Sequence, residues 1–105
     1  MLVKLFTAAV NGLDVRTVEA EVNISKGAKF SLVGLPDSAV RESYYRIKTA
    51  LHNSGFVLPT NQITINLAPA DIRKEGSGYD LPLSLGILAA QGAVDSNSLK
   101  RYMFV

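Results

Sequence analysis

The residues best suited to chemistry lie in one charged, glycine-rich stretch, residues 71–80. It holds two cations, three carboxylates, a serine and a tyrosine: Asp71, Arg73, Lys74, Glu75, Ser77, Tyr79 and Asp80. An alternating apolar segment precedes this stretch and an almost continuously apolar one follows it, so a strand should end here and a helix begin. Such a junction brings free backbone N–H groups and a partial positive charge close to polar side chains. We expect any binding or chemistry of this chain at this junction.

Phosphate binding is the first chemistry that this stretch suggests. Gly76 and Gly78 lie close to a helix N-terminus and to two cations, which are the elements of a phosphate cradle. A P-loop, however, has four residues between its glycines and then Gly-Lys-Ser/Thr. Gly76-Ser77-Gly78 lacks that spacing, and the pattern occurs nowhere else in the sequence. We therefore expect no ATP hydrolysis within these residues, and a solvated loop capped by Asp80 is the simpler interpretation.

Nucleophilic catalysis is the second possibility. Ser77 with Lys74 would form a serine–lysine pair only if the lysine were desolvated enough to accept a proton. The loop looks solvated, and there a lysine keeps its charge. His52 is the only histidine, and a contact with the C-terminal end of a helix dipole explains it more simply than catalysis. The sequence therefore predicts no catalytic residue and no cofactor-binding residue.

A metal site is the third possibility. Asp71, Glu75 and Asp80 could surround Mg²⁺ through their oxygen atoms, but three acids near a capped helix are commoner without a metal, and we predict none. Cysteine is absent, which excludes disulfides, thiolate metal sites and thiol catalysis and fits a reducing compartment.

A contact surface for DNA or for a protein partner is the remaining interpretation. Its candidate residues combine the basic side chains, a tyrosine able to stack and one acid: Arg41, Tyr45, Arg46, Lys48, Arg73, Lys74 and Glu75. The net charge of +2 is too small to argue for nucleic acid by itself. Glu42 and Asp71 also dilute the positive field, so a merely solvated helix face remains the alternative.

Length and composition indicate one globular domain. The chain has 105 residues, of which 48% are hydrophobic, and this is enough for one core and too little for two domains. No window approaches the roughly 20 apolar residues of a membrane helix. Lys4 and Thr7 interrupt the apolar start and argue against a signal peptide. We expect a soluble cytoplasmic domain with no membrane partner.

The first third of the chain predicts three strands. Residues 3–10 indicate a buried strand, and Asn11-Gly12 is a strong turn signal. Residues 16–24 alternate between apolar and polar, as in a strand with one solvated face. Residues 29–33 form the third strand, and we expect an antiparallel meander of all three.

The remainder predicts two helices, each preceded by a strand. Gly34-Leu35-Pro36-Asp37 should end the third strand and begin a helix. The apolar stripe of this helix consists of Val40, Tyr44, Ile47 and Leu51. Gly55 should close it as a left-handed residue, and Pro59 should lie in the loop that follows.

Residues 62–67 alternate again and predict a fourth strand. Asp80 should cap the second helix, with Pro82 in its first turn. Residues 95–100 indicate a polar connector. Residues 102–105 resemble the start of a strand, which suggests a domain cut from a longer protein. The predicted order is β-β-β-α-β-α-β.

Five segments carry a family resemblance: Gly34–Ser43, Ala50–Phe56, Asn66–Gly76, Asp80–Leu83 and Leu85–Leu88. In these segments the chain resembles the N-terminal domain of the Mg-chelatase-like AAA+ ATPases of the bacterial ComM/YifB type. The resemblance covers essentially the whole chain, and its motifs are long and occur in the same order.

The resemblance implies an α+β domain with the ribosomal protein S5 domain 2-like (Lon protease-like) fold, a mixed sheet with two helices on one face. Residues 1–105 would form a single Lon-like N-terminal domain. The longer protein would carry a P-loop ATPase module that uses ATP and Mg²⁺ and assembles as a homo-hexamer. Members of the ComM type are DNA helicases that promote branch migration during natural transformation. The family name does not imply that the protein inserts magnesium.

Related Lon proteases place their catalytic serine in an Asp-Gly-Pro-Ser-Ala-Gly segment. On the matching segment here, Glu75–Asp80, the place of the serine falls on Gly78, and the lysine partner would lie beyond Val105. The pattern is closer to the non-proteolytic Lon-like domain of the recombination protein RadA. The resemblance therefore implies a non-catalytic domain that contributes DNA or subunit contacts. The alternatives are a peptidase-like hydrolase of the Lon fold and a pure protein-interaction module.

Overall fold

The computed structural model describes residues 2–57 and 61–104. Its elements in chain order are β1 Leu2–Asn11, β2 Asp14–Ser25, β3 Phe30–Val33, α1 Ser38–Arg41, α2 Ser43–Asn53, β4 Gln62–Ala68, α3 Asp80–Ala90, α4 Ser96–Leu99 and β5 Met103–Phe104. The five strands form one mixed sheet in the order β3-β4-β2-β1-β5. The predicted α+β class and the mixed sheet are confirmed. None of the described helices is long and apolar enough to cross a membrane.

Strands β1 and β2 form the long hairpin that the sequence predicts. They pair antiparallel from Leu2↔Asn23 to Asn11↔Asp14, so the chain reverses at Gly12-Leu13. Along β2 the side chains of Val18, Ala20 and Val22 are fully buried, whereas the residues between them are partly exposed. The alternation therefore sets which face of the hairpin covers the core.

The predicted antiparallel meander is wrong. Strand β3 does not pair with β2 but lies parallel to β4, from Phe30↔Ile63 to Val33↔Asn66, and β4 pairs antiparallel with β2. Helices α1 and α2 connect β3 to β4, and a helical crossover returns the chain in the same direction. The short, half-buried β3 thus occupies the edge of the sheet, and the more apolar β4 takes an inner position.

Helix α3 lies on β1 and β2 and contacts α2. Gly86 lies where α3 packs closely against the sheet. A Cβ added at Gly86 would lie 2.6 Å from Val22 Cγ2 and 2.9 Å from Leu5 Cδ2. The single helix predicted here is divided at Glu42 into α1 and α2. Its predicted stripe is confirmed in part: Val40 on α1 and Ile47 and Leu51 on α2 are buried, whereas Tyr44 is partly buried. The core therefore lies between the hairpin and helices α2 and α3.

The helix ends match the predictions in part. Helix α1 begins where the sequence predicts, and Asp37 is its N-cap. Gly55 follows α2 with φ +86° in a Schellman arrangement, and its N–H donates to the carbonyl of His52. Asp80 is not the cap of α3: Tyr79 occupies that position without a side-chain cap, and Asp80 is the first helical residue. The predicted connector of residues 95–100 contains the short helix α4. Pro59 lies outside the described residues.

Candidate functional site

The loop between β4 and α3 docks on the start of α1. The N–H of Lys74 donates to the carbonyl of Leu35 at 3.0 Å, and the N–H of Asp37 donates to the carbonyl of Lys74 at 2.9 Å. Pro36 and Lys74 form a parallel bridge between these two backbones. The charged stretch therefore continues the β3–β4 pairing beyond the ends of both strands.

The carboxylate of Asp37 lies at the centre of this junction. One oxygen accepts from the N–H of Val40 at 2.8 Å, and the other accepts from the N–H of Gly76 at 3.1 Å. The Val40 hydrogen bond is the largest influence on the pKa of Asp37. Together with the Gly76 N–H and the Arg73 charge it outweighs desolvation and holds this pKa below its ordinary value. The ionised carboxylate thus joins the start of α1 to the loop.

Lys74 is fully buried, so the prediction that it lies in a solvated loop is wrong. Its Nζ donates to the carbonyl of Leu67, near the end of β4, and to the carbonyl of Pro69, just after β4. Desolvation lowers the pKa of Lys74, and the negative charge of Asp71 opposes that shift. In the structure Ile72 and Lys74 are buried whereas Arg73 and Glu75 are exposed, as in a strand. The sequence gives no signal for this, because three charged residues in a row follow Ile72.

The serine–lysine pair is not assembled in the part of the chain that the structure describes. Ser77 is exposed, whereas the Lys74 ammonium group is directed at the two backbone carbonyls. The buried lysine therefore serves as an internal hydrogen-bond donor that closes the end of β4. It offers no surface for DNA or a partner.

Tyr79 belongs to the charged stretch, but its burial was not predicted from the sequence. Its side chain is 3% exposed, and its hydroxyl has no hydrogen-bond partner among the described residues. Burial raises the pKa of Tyr79, and the charges of Asp37 and Glu75 add to the effect. The signal was present in the sequence, because Tyr79, Leu83 and Ile87 recur every four residues on the buried side of α3.

The predicted contact residues do not form one surface. Arg41 and Arg73 line the same open groove, of about 450 Å³, together with residues 35–38. Tyr45 and Lys48 are exposed elsewhere, on α2. Glu75 is exposed and pairs with Arg73, with 3.2 Å between Nε and Oε1. The groove therefore brings together two of the predicted cations, Arg41 and Arg73.

Arg46 is engaged inside the domain. Its Nε and Nη2 donate to the two carboxylate oxygens of Asp80, at 2.5 and 2.9 Å, and Nη2 also donates to the carbonyl of Ala39. Nη1 of Arg46 also lies 3.8 Å from a carboxylate oxygen of Glu42, four residues earlier in the chain. The hydrogen bond with Asp80 is the main cause of a raised pKa for Arg46. This fork connects α1, α2 and the first residue of α3.

The alternative of a magnesium site finds no support. Of its three acids, Glu75 pairs with Arg73 and Asp80 pairs with Arg46. Within residues 2–57 and 61–104 no group of three His, Cys, Asp or Glu side chains is arranged to hold a metal. His52 is exposed in the last turn of α2, where it lines a groove with Lys48 and Phe56.

Comparison with known proteins places these features in a family. The family model described as subunit ChlI of Mg-chelatase matches residues 19–105. The chain is 44% identical over 102 residues to competence protein ComM of Haemophilus influenzae, which covers 96% of this chain and 20% of that protein. It is 44% identical over 100 residues to the uncharacterized protein YifB of Escherichia coli, covering 94% and 20% of the two chains. The uncharacterized protein Rv2897c of Mycobacterium tuberculosis is 43% identical over 89 residues, covering 84% of this chain and 18% of that protein.

The chain thus spans about a fifth of the length of the curated relatives that it matches. The matched region includes the Asp37–Gly76 junction, the buried Lys74 and the Arg46–Asp80 fork. The chain belongs to the family of the Mg-chelatase subunit ChlI.

Proposed function

We propose that this chain is a non-catalytic domain of a ComM-type, ATP-driven DNA-remodelling protein, in which it contributes contacts to DNA. The observation that carries the proposal is the 44% identity to a competence protein over nearly the whole chain. The closed, internally bonded junction supports a scaffolding role, because Lys74, Asp37 and Arg46 all use their charges within the domain.

We further propose that residues 1–105 adopt the Lon-like, ribosomal protein S5 domain 2-like fold as a single N-terminal domain. The mixed sheet supports this assignment, and so does the element order β-β-β-α-α-β-α-α-β, which becomes the expected order when the four-residue helices α1 and α4 are left out. The remaining four-fifths of a relative's length would hold the P-loop module, its ATP and Mg²⁺ and the contacts of a homo-hexamer in the cytoplasm. A test is ATPase activity of the longer protein, which should persist after removal of these residues.

The groove between Arg41 and Arg73 is the proposed DNA contact. Arg41 is exposed and has no ion-pair partner among the described residues, and Arg73 shares the groove with it. Asp37 also lines the groove, but its carboxylate already accepts two backbone N–H groups, and Arg73 pairs with the exposed Glu75. A backbone phosphate between the two guanidinium groups would therefore meet two cations and a partly compensated acid.

Tyr45 and Lys48 are the proposed second contact, for unpaired bases. The Tyr45 side chain is 70% exposed on α2, so its ring can stack on a base. Lys48 is exposed close by on the same helix and would neutralise a phosphate. A single strand bound here would be recognised by stacking rather than by sequence.

The test is retention of labelled single-stranded and branched DNA by the chain across a salt series. We expect log K to fall with log salt, and Arg41→Ala or Arg73→Ala to reduce the slope by about 0.7 to 0.9 for each lost phosphate contact. Arg16→Ala is the matched control, because Arg16 is an exposed arginine on β2 outside the groove. If all three variants reduced the salt slope equally, the DNA would be attracted by the charge of the whole domain and not by the groove.

Two other functions remain as outcomes of these tests. A failure to retain DNA even at low salt would assign the groove to contacts between subunits or to another protein. Labelling of Ser77 by a fluorophosphonate probe would favour the peptidase-like alternative. We expect no labelling, because the Lys74 ammonium group is bound to two backbone carbonyls.

A further inference from the structure

Leu35, in the turn between β3 and α1, has a backbone conformation that leucine rarely adopts. Its φ is +55°, in the left-handed region. Among residues 2–57 and 61–104 it is the only residue other than glycine with a positive φ. This region brings the Cβ of an L-residue too close to the backbone, so it costs free energy for leucine. The turn therefore holds Leu35 under strain.

The neighbours of Leu35 keep it in this conformation. A Cβ added at Gly34 would lie 2.1 Å from the carbonyl oxygen of Leu67, so the residue before Leu35 packs directly on the backbone of β4. The carbonyl of Leu35 accepts from the N–H of Lys74 at 3.0 Å, and the N–H of Asp37 donates to the carbonyl of Lys74 at 2.9 Å. A change of φ at Leu35 would therefore disturb contacts on both of its sides.

This strained turn leaves Leu35 at the surface. The residue is 52% exposed, and it lines the open groove together with Arg41 and Arg73. Strained residues that their surroundings hold in place occur preferentially at binding sites and ligand clamps. The turn thus presents an apolar side chain between two cations, where burial in the core does not explain its type.

The exposure of Leu35 belongs to the β3 edge of the sheet. Three strands separate β3 from β5 in the sheet order β3-β4-β2-β1-β5. Leu35 follows β3 at the end where Val33 pairs with Asn66, not at the end where Phe30 pairs with Ile63 near the start of β4. Its position in the groove is therefore set by the turn itself.

An apolar side chain between cations fits a ligand with an anionic exterior and an apolar interior. Arg41 has no ion-pair partner among the described residues, and Arg73 pairs with the exposed Glu75 at the surface. Guanidinium groups bind the phosphates of DNA, and a leucine can enter between two base pairs and unstack them. Unstacking costs least where pairing or stacking is already interrupted. A branch point of DNA is such a place.

We propose that Leu35 is an apolar wedge, which enters the interrupted base stack at a branch point of DNA whose phosphates are held by Arg41 and Arg73. This inference rests on the proposed function and adds to it the feature of the DNA that the domain recognises. The arginines attract any DNA, because backbone contacts carry no information about structure in the bases. Leu35 supplies the preference for branched over continuous DNA.

The test compares binding of a four-way junction with binding of a continuous duplex of the same base composition. Both carry, at the branch point or the corresponding position, a fluorescent adenine analogue that brightens when it is unstacked. We expect tighter binding of the junction and a rise in its fluorescence at saturation. Leu35→Asn should reduce the ratio of junction to duplex affinity about five-fold and abolish the rise, because the apolar contact is lost. The salt slope should not change, since no phosphate contact is removed.

Two control variants separate the wedge from general attraction. Val33 is also 52% exposed but does not line the groove, so Val33→Thr should leave the affinity ratio and the fluorescence unchanged. Arg41→Ala should weaken binding of both DNAs alike and preserve their ratio. Asparagine tolerates the left-handed region better than leucine does, so Leu35→Asn should unfold at the same or a higher temperature. A clear loss of stability would overturn the proposal by showing that Leu35 is needed for packing.

The remaining outcomes distinguish this inference from the function on which it rests. Equal affinity for junction and duplex, or an unchanged ratio in Leu35→Asn, would overturn the wedge while salt-dependent retention of DNA left the DNA contact standing. No retention of either DNA at low salt would overturn both, and the groove would then be a contact for protein.

Discussion

The carboxylate of Asp37 accepts a hydrogen bond at 3.1 Å from the N–H of Gly76, 39 residues further along the chain. The same carboxylate caps α1 through Val40. A helix start and the charged loop therefore depend on one ionised group. Because the two segments are distant in sequence, this contact forms only in the folded domain.

Acid should weaken the junction at Asp37. The pKa of Asp37 is lowered in the folded state, so its stabilising effect is present above the ordinary value of 3.8 and is lost as the pH falls below 3.8 towards the folded-state pKa. Asp37→Asn should lower the unfolding temperature by several degrees at neutral pH, and the difference from the parent should shrink in acid. Thermal unfolding followed by circular dichroism between pH 2 and about 7 measures this.

Asp14→Asn is the control for Asp37→Asn, because Asp14 is exposed on β2. It reports the general effect of losing one negative charge. A difference between Asp37→Asn and the parent that stays constant at every pH would contradict a role for the ionised carboxylate.

The fork between Arg46 and Asp80 should require guanidinium geometry and not merely positive charge. Arg46→Lys keeps the charge but cannot bind both carboxylate oxygens and the Ala39 carbonyl. We expect a lower unfolding temperature for Arg46→Lys, and a smaller loss when the same change is made in an Asp80→Asn background. Arg41→Lys, at an exposed position on α1, should have little effect. Full additivity of the two changes would show that the fork contributes nothing.

Buried Lys74 should be needed for its hydrogen bonds at neutral pH. Lys74→Met keeps the length of the side chain but leaves the carbonyls of Leu67 and Pro69 without their donor. We expect a loss of about 1 to 3 kcal/mol in the free energy of unfolding, measured with urea at pH 7. Lys48→Met is the matched control, because Lys48 is exposed on α2. An unchanged or higher stability of Lys74→Met would mean that the cost of burying the amine exceeds the value of its contacts.

The same lysine should make stability rise in alkaline solution. Its pKa is lowered by burial, so between the folded-state pKa and the ordinary value of 10.5 the unfolded chain binds more protons than the folded one. Stability should therefore increase with pH in this window. The raised pKa of Tyr79 acts in the opposite sense above 10.0, so the comparison of Lys74 with Met belongs in a Tyr79→Phe background. If the difference in stability between Tyr79→Phe and Tyr79→Phe with Lys74→Met does not change with pH, the lowered pKa of Lys74 is contradicted.

Close contact between α3 and the hairpin should make Gly86 intolerant of substitution. A Cβ at this position would meet the buried side chains of Val22 and Leu5 at 2.6 and 2.9 Å. Gly86→Ala gains helix propensity, but overpacking of about 1 to 3 kcal/mol should outweigh that gain of roughly 1 kcal/mol. Gly78→Ala, where a Cβ has nothing within 4 Å, is the control. A more stable Gly86→Ala would mean that α3 can move away from the sheet at little cost.

The pattern of apolar and polar residues within each segment was enough to predict the long strands and helices. The alternation along β2 and the stripe of Val40 on α1 with Ile47 and Leu51 on α2 appear in the structure as buried faces. Each of these signals needs only neighbouring residues, because one buried side of a strand or a helix leaves its own period in the sequence. The Asp37 cap and the Gly55 end are local in the same way.

The partner of β3 and the environment of Lys74 were not predictable in this way. The sequence of a four-residue, partly buried strand does not indicate which strand it pairs with. Here the helical crossover brings β3 beside β4, and the two pair in parallel. Lys74 was predicted to be solvated because its loop is rich in charge and glycine. The pairing of that loop with Leu35 and Asp37 draws the lysine inside instead.

The sequence alone determined the class of the domain, its hairpin, its two long helices and its family resemblance, because periodicity, caps and ordered motifs depend only on residues that are close together in the chain. Only the tertiary structure decided the strand order, the burial of Lys74, the engagement of Arg46 by Asp80 and the unpartnered hydroxyl of Tyr79. The physical reason is the same in each case. Whether a charge or a hydroxyl meets water, a carbonyl or nothing depends on segments that lie far apart in the chain and meet only when the core closes.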